Sequence, residues 1–263
     1  MRGREGVRGV TGLRERFSPR GWCAAVVAVV VEGMPLVTAA HAPAAVRYQV
    51  THTIPVGNGP HAVAVDPDTR TVYVTNYLAN TVSVIDEASM TVTRTIPVGN
   101  WPWAVAVDPD TRTVYVTNDN DDTVSVIDET TGTVTCTLRV GSGPNGVAVD
   151  PAARAIYVTN GGDDTVGDDG TVSVIDEATM TVTRTIPVGF NPDGVAVDPA
   201  ARTVYVANFL GNSVSVIDEV TSTVTATIPV GSNPDGVAVD PAAHTAYVPN
   251  FFGNSVSVIS RCD

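Results

Sequence analysis

The chain has 263 residues, and its fifteen basic residues are all arginine against 28 acidic ones. Six arginines fall in the first twenty positions, so residues 43–263 hold nine arginines against 25 acids, a net charge of −16. That balance excludes a sequence-independent nucleic-acid binder, which needs basic side chains to displace counterions from phosphates. The apolar content is ample for a core, and three cysteines are too few for a disulfide scaffold.

The arginine-rich start leads into the apolar run Trp22–Val31, and a weaker stretch ends at Ala40-His41-Ala42. A basic region, an apolar run and an A-x-A site are the parts of a secretory signal peptide. Cleavage after Ala42 is therefore expected, leaving 43–263 as the domain. An uncleaved anchor is the alternative, but Glu32 interrupts the apolar stretch, and a charge at the bilayer centre costs about 3 kcal/mol. Either way the body is expected outside the cytoplasm, secreted, periplasmic or on the cell surface, with a membrane contact only if the segment is retained.

From there the chain is a repeat. The glycine closing the T-I-P-V-G segment recurs at Gly57, Gly99, Gly141, Gly189 and Gly231, with spacings of 42, 42, 48 and 42. One unit runs from Val63-Ala-Val-Asp-Pro67 through Thr71–Asn76 and Thr81–Asp86 to Thr91–Gly99. Each segment is short, alternates with period two, is rich in Val, Ile, Thr or Tyr, and is bounded by turn residues. These are strands, with no room for a helix between them. Four strands in forty-odd residues is the period of a propeller blade.

The first three strand types each occur five times. The fourth follows units one to four and also precedes unit one, at Gln49–Gly57. The spacing predicts an all-β, five-bladed propeller of 42-residue blades. Its ring is expected to close by the N-terminal strand completing the C-terminal blade, because an open arc leaves exposed strand edges.

The motifs Tyr73-Val-Thr-Asn76, Tyr115-Val-Thr-Asn118 and Tyr157-Val-Thr-Asn160, with the variants Tyr205–Asn208 and Tyr247–Asn250, resemble the YVTN family of β-propeller repeats. The resemblance covers residues 49–260. It implies an exported or cell-surface propeller and says little of activity. It also implies seven blades more often than five, so a relative that completes its ring by self-association stays open.

Residues present in every blade are read as scaffold. Asp-Pro suits a type I turn, Arg70, Arg112, Arg154 and Arg202 are expected to pair with the turn aspartates, and Asn76 and its equivalents to tie neighbouring backbone. The 1→2 and 3→4 turns share one nearly invariant face. The 2→3 and 4→1 loops share the other, which varies, carries nine acids and no arginine, and holds seven of the domain's thirteen aromatics. Function concentrates on variable loops held by a rigid scaffold.

That face divides by blade. Tyr77, Leu78, Trp101, Trp103, Phe209, Leu210, Phe251 and Phe252 form an aromatic sector across blades four, five and one, contiguous only if the ring closes. Asp119, Asp121, Asp122, Asp163, Asp164, Asp168 and Asp169 form an acidic sector, the last four within the blade-three loop Gly161–Gly170, which is six residues longer than its equivalents. The expected function is non-catalytic binding of a protein or cell-surface component that is basic or carries an apolar anchor. The aromatics plugging the axial channel is the competing reading. The acidic sector has the oxygen chemistry of a Ca2+ site, though not EF-hand spacing; solvated loop charge is the commoner explanation of such a run. The alternative function is a metal-dependent lactonase or lyase-type enzyme at the variable mouth. Of the three histidines in the domain only His61 is on that face, and no catalytic motif occurs, so no catalytic residue is assigned. Cys136 and Cys262 fall on non-neighbouring blades, which predicts no intrachain disulfide.

Overall fold

A computed structural model describes residues 49–162 and 169–260. Blade one is β1 (Pro60–Asp66), β2 (Thr71–Asn76), β3 (Thr81–Asp86) and β4 (Thr91–Pro97). Blade two is β5 (Pro102–Asp108), β6 (Thr113–Asn118), β7 (Thr123–Asp128) and β8 (Thr133–Arg139). Blade three is β9 (Pro144–Asp150), β10 (Ala155–Asn160), β11 (Asp169–Asp176) and β12 (Thr181–Phe190). Blade four is β13 (Pro192–Asp198), β14 (Thr203–Asn208), β15 (Ser213–Asp218) and β16 (Thr223–Pro229), and blade five is β17 (Ala238–Asp240), β18 (Thr245–Asn250) and β19 (Ser255–Ser260). Each blade is an antiparallel meander in chain order. The one helical element among the described residues is a three-residue 3-10 turn, Asp119–Asp121.

The repeated residues each have a visible task. Asp66 Oδ1 accepts the amide of Asp68 at 2.7 Å, and the turn then closes on Arg70 at φ 57°. The expected Arg–Asp pairing is not what forms. The turn amides already occupy the aspartate, and Arg70 and Arg154 reach Glu87 and Glu177 instead, at 3.9 Å each. Asn76 Nδ2 donates to Thr81 Oγ1 (3.0 Å) and Ser83 Oγ (2.9 Å), and its four equivalents tie strand-three hydroxyls in the same way. The expected tie to backbone is present beside these at Asn208, whose Oδ1 accepts the Gly189 amide at 3.1 Å, and at Asn160, which donates to the Thr171 carbonyl at 3.4 Å. The T-I-P-V-G glycine lies flat on the asparagine side-chain amide: a Cβ at Gly99 would stand 2.6 Å from Asn118 Cγ.

Blades pack face to face, β1 against β5, β5 against β9, β9 against β13 and β13 against β17. At each seam the strand-two tyrosine and strand-three valines of one blade meet the strand-one and strand-two valines of the next. Tyr115, Val124 and Val126 on Val147, Val149, Ile156 and Val158 is one instance. The rims of these seams hold buried carboxyls. Tyr115 donates its hydroxyl to Glu177 Oε1 at 3.0 Å, and Thr111 donates to the same oxygen at 2.9 Å. Glu129 occupies the same place against Tyr73 and Asp66, and Glu219 against Tyr157 and Asp150. Burial first, then the adjacent aspartate, pushes Glu129 and Glu219 up to about 7, so each glutamic acid can donate its proton to the aspartate beside it. In the fourth seam Asp198 bonds His244 Nδ1 at 2.9 Å.

The N-terminal strand expected to complete blade five is not formed. Residues 49–56 lie outside any strand, Val50 is exposed, and the fifth sheet has three strands. The two end faces of the succession are correspondingly bare. Tyr247 is 44 % exposed where Tyr73, Tyr115, Tyr157 and Tyr205 are 6 % or less. Pairing one strand to β19 would leave most of that face in water, since it is covered by a neighbouring blade in the other four cases.

Candidate functional site

The loop-side mouth is built by a bulge that recurs in the innermost strand. In β1 the register slips between Pro60 and Val63, and the same slip recurs in β5, β9 and β13. One extra residue per blade swings out of the ladder there. The residues concerned are His61, Trp103, Asn145, Asp193 and, at the corresponding place before β17, Asp235. Threonines of strand two lock the bulges across the seams: Thr75 Oγ1 donates to the carbonyl of Trp103 at 3.1 Å, Thr117 to Asn145 at 2.8 Å and Thr159 to Asp193 at 2.6 Å.

On the blade-one side the bulge residues are aromatic. His61 stacks on Trp103 with centroids 4.0 Å apart, and its Nδ1 lies 2.9 Å from the Trp103 carbonyl. Tyr77 meets Trp103 edge-on at 5.7 Å and Trp101 at 5.4 Å. Leu78 is exposed beside them. Trp101 sits at φ 55°, in the position that the other blades give to Gly59, Gly143, Asn191 and Asn233, all likewise at positive φ. An indole in the left-handed region costs roughly 1 kcal/mol against glycine. The side chain is nonetheless 43 % exposed, so the core does not demand it.

The structure divides the predicted aromatic sector. Tyr77, Trp101 and Trp103 are one cluster. Phe209 and Leu210 line the mouth cavity with Trp103. Phe251 and Phe252 pack on each other at 4.8 Å, exposed on blade five.

The acidic sector is divided too. Asp121 accepts the Asn100 amide at 2.7 Å and its side-chain amide at 2.9 Å. Asp122 closes the 3-10 turn at φ 56° and accepts the Gly143 amide at 3.1 Å, the task that Asn80 performs for Trp101 and Asn212 for Asn233. Both carboxylates are thus tied to loop structure. Asp119 faces the cavity. Asp163, Asp164 and Asp168 lie outside the described residues, and Asp169 opens β11. Among the described residues no group of three or more His, Cys, Asp or Glu is placed to hold a metal ion.

A carboxyl pair on this face that sequence reasoning did not single out meets in the mouth. Asp193 and Asp235 line a cavity of about 660 Å3 together with Trp103, Asp119, Asn145 and Phe209. Burial first, then the charge of Asp235 and a hydrogen bond to it, pushes Asp193 up to about 7. The signal was present: Asn191-Pro-Asp-Gly and Asn233-Pro-Asp-Gly put an aspartate at the bulge of two consecutive blades. Cys136 is a free thiol, half-buried against the seam of blades two and three; Cys262 lies outside the described residues.

Fold and repeat together define a β-propeller. The chain matches the YNCE-like beta-propeller family over residues 37–163 and again over 146–249, and it belongs to that family, in keeping with the YVTN-type motifs. No curated protein is similar enough to count as a relative. Among solved structures, a chain of Kuenenia stuttgartiensis hydrazine synthase is similar in fold, with a TM-score of 0.51 and 21 % identity over 77 % of this chain and 83 % of that one. At that identity the likeness concerns the fold alone.

Proposed function

We propose that the protein is an exported, non-catalytic binding module whose mouth takes a basic segment of a protein or other cell-surface component. The observation that carries this reading is Trp101. A large aromatic is kept at a left-handed position suited to glycine or asparagine, half-exposed, in contact with Tyr77 and beside the Asp119 loop. Stacked aromatics next to carboxylates fit a guanidinium or ammonium, which gains from the ring faces and from the charge. A mouth without arginine argues against nucleic acid.

The test is a peptide array sampling Arg-, Lys- and aromatic-containing sequences, probed with the wild type and Trp101→Asn. Binding to basic peptides that falls at least tenfold in the variant supports the reading; equal binding by both, or none, overturns it. The acidic sector acts here as orienting charge, so its expected response to millimolar calcium, against EDTA, is no change in melting temperature.

One observation favours a second reading, hydrolytic chemistry at the mouth. A carboxyl held near neutrality in a cavity is suited to proton transfer. Turnover of a lactone or ester panel that is abolished by Asp193→Asn would establish it in place of the first.

A further inference from the structure

The two bare end faces match each other residue for residue, as the four internal seams do. On blade five, Tyr247, Val256 and Val258 are 44 %, 59 % and 59 % exposed. They stand where Tyr115, Val124 and Val126 are buried in blade two. On blade one, Val63 and Val65 are 64 % and 49 % exposed, where Val105, Val107, Val147 and Val149 are covered by the preceding blade.

The polar groups of the seam are divided between these ends as well. In the first three seams a tyrosine and an Asp-Pro aspartate of one blade meet the glutamate after strand three of the next, as in Tyr73 and Asp66 with Glu129. Blade five presents Tyr247 and an exposed Asp240, whereas Asp66, Asp108, Asp150 and Asp198 are fully buried. Blade one presents Glu87, clamped by Arg70 at 3.9 Å as Glu177 is clamped by Arg154 at 3.9 Å; the Glu87 side chain is 34 % exposed and that of Glu177 3 %. The backbone shows the same division. A Cβ on Gly194 would stand 2.5 Å from Gly236 Cα across the seam, but on Gly236 it would meet only Pro249, at 3.9 Å.

We infer that the blade-five face of one molecule takes the blade-one face of a second copy of this chain, head to tail, forming a fifth seam with Tyr247 and Asp240 of one copy against Glu87 of the other. The chemistry of the face selects the occupant, since blade one is what the repeat places after a blade of this kind. Its own blade one is not seated there, because both faces are in water in the same molecule. The segment Gln49–Gly57 of the incoming copy carries the T-I-P-V-G motif of a fourth strand and reaches the open edge of β19. The seam also brings Phe251 and Phe252 of one copy beside the Tyr77 cluster of the next, uniting the aromatic sector that a single molecule leaves in two parts. Such an interface is heterologous, and it closes into a ring or propagates according to its rotation.

The test is sedimentation equilibrium of the full chain with two paired variants, Val63→Asp with Val65→Asp and Tyr247→Asp with Val258→Asp. The substituted side chains are exposed, and circular dichroism checks that each variant keeps its strands. The wild type is expected at twice the monomer mass or more, and each variant alone at the monomer mass. An equimolar mixture of the two variants is expected to restore a 1:1 dimer, because one intact face remains on each. A monomeric wild type, which is the result of closure within one chain, overturns the inference. So do variants that associate like the wild type, or a mixture that stays monomeric.

Discussion

Tyr115 and Tyr247 are the same residue of the repeat in two surroundings. Tyr115 is fully buried, its ring on the valines of blade three and its hydroxyl on Glu177. Tyr247 has the same pairing within its own sheet, yet it is 44 % exposed. The difference teaches that a blade is only half of the unit that folds. Its sheet satisfies the backbone, but its faces are buried by the next blade, so stability resides in seams. The largest expected effect tests this directly. Tyr115→Ala should cost about 3–5 kcal/mol, a fall in melting temperature of roughly 10 °C for a domain of this size. Tyr247→Ala should cost less than about 1 kcal/mol in dilute protein. Equal losses would mean that the end faces are covered in solution.

The glycines after the bulge sharpen the same contrast at lower amplitude. Gly194→Ala drives a methyl into the Gly236 backbone at 2.5 Å, and such overpacking against main chain costs about 1–3 kcal/mol. Gly236→Ala has open space and should be neutral within about 0.5 kcal/mol. Urea unfolding of the two variants, with midpoints compared at equal slope, measures the difference.

The fold was legible because the seam is written in every unit. Period-two alternation fixed the strands, and five copies of each motif fixed the blades. What the sequence did not show is where Gln49–Gly57 lies, because a fourth strand carries the same residues whether it pairs within the chain or outside it. The site was less legible for a related reason. Asp121 and Asp122 look like ligands in an acidic run, yet they bond Asn100 and Gly143, and only the three-dimensional loop shows that. Asp193 and Asp235 are isolated in sequence and meet because a bulge turns both toward one cavity. Raised carboxyls at Glu129 and Glu219 recur with the blade and belong to packing, whereas the raised Asp193 occurs once.

The repeated carboxyls give stability a pH dependence of defined sign. Glu129 and Glu219 rise from 4.5 to about 7 on folding, so the native state binds more protons than the unfolded chain between those values. Their contribution is complete below pH 4.5 and is lost as the pH rises through 7. The turn aspartates, held below 3.8 by the hydroxyls and amides of Ser89, Thr131, Thr179 and Thr221, act at lower pH and do not offset the loss. The melting temperature should therefore fall by about 3 °C or more from pH 4.5 to 7.5. Net negative charge contributes a decline of the same sign. Glu129→Gln with Glu219→Gln separates the two, because the amides keep a donor toward Asp66 and Asp150 without titrating. A scan of the double variant that is as steep as the wild type's would assign the slope to charge repulsion alone.

A near-neutral change in stability carries the most information about function. Trp101→Asn places at φ 55° a residue that Asn191 and Asn233 show to fit there, relieving about 1 kcal/mol of strain. It also removes the indole contact with Tyr77 at 5.4 Å, worth about as much. The two nearly cancel, so the melting temperature should stay within about 3 °C of the wild type. A residue retained for packing would instead show the full loss of a buried aromatic, several kcal/mol. Unchanged stability with lost peptide binding therefore separates a presented side chain from a structural one, because no seam of the propeller depends on Trp101.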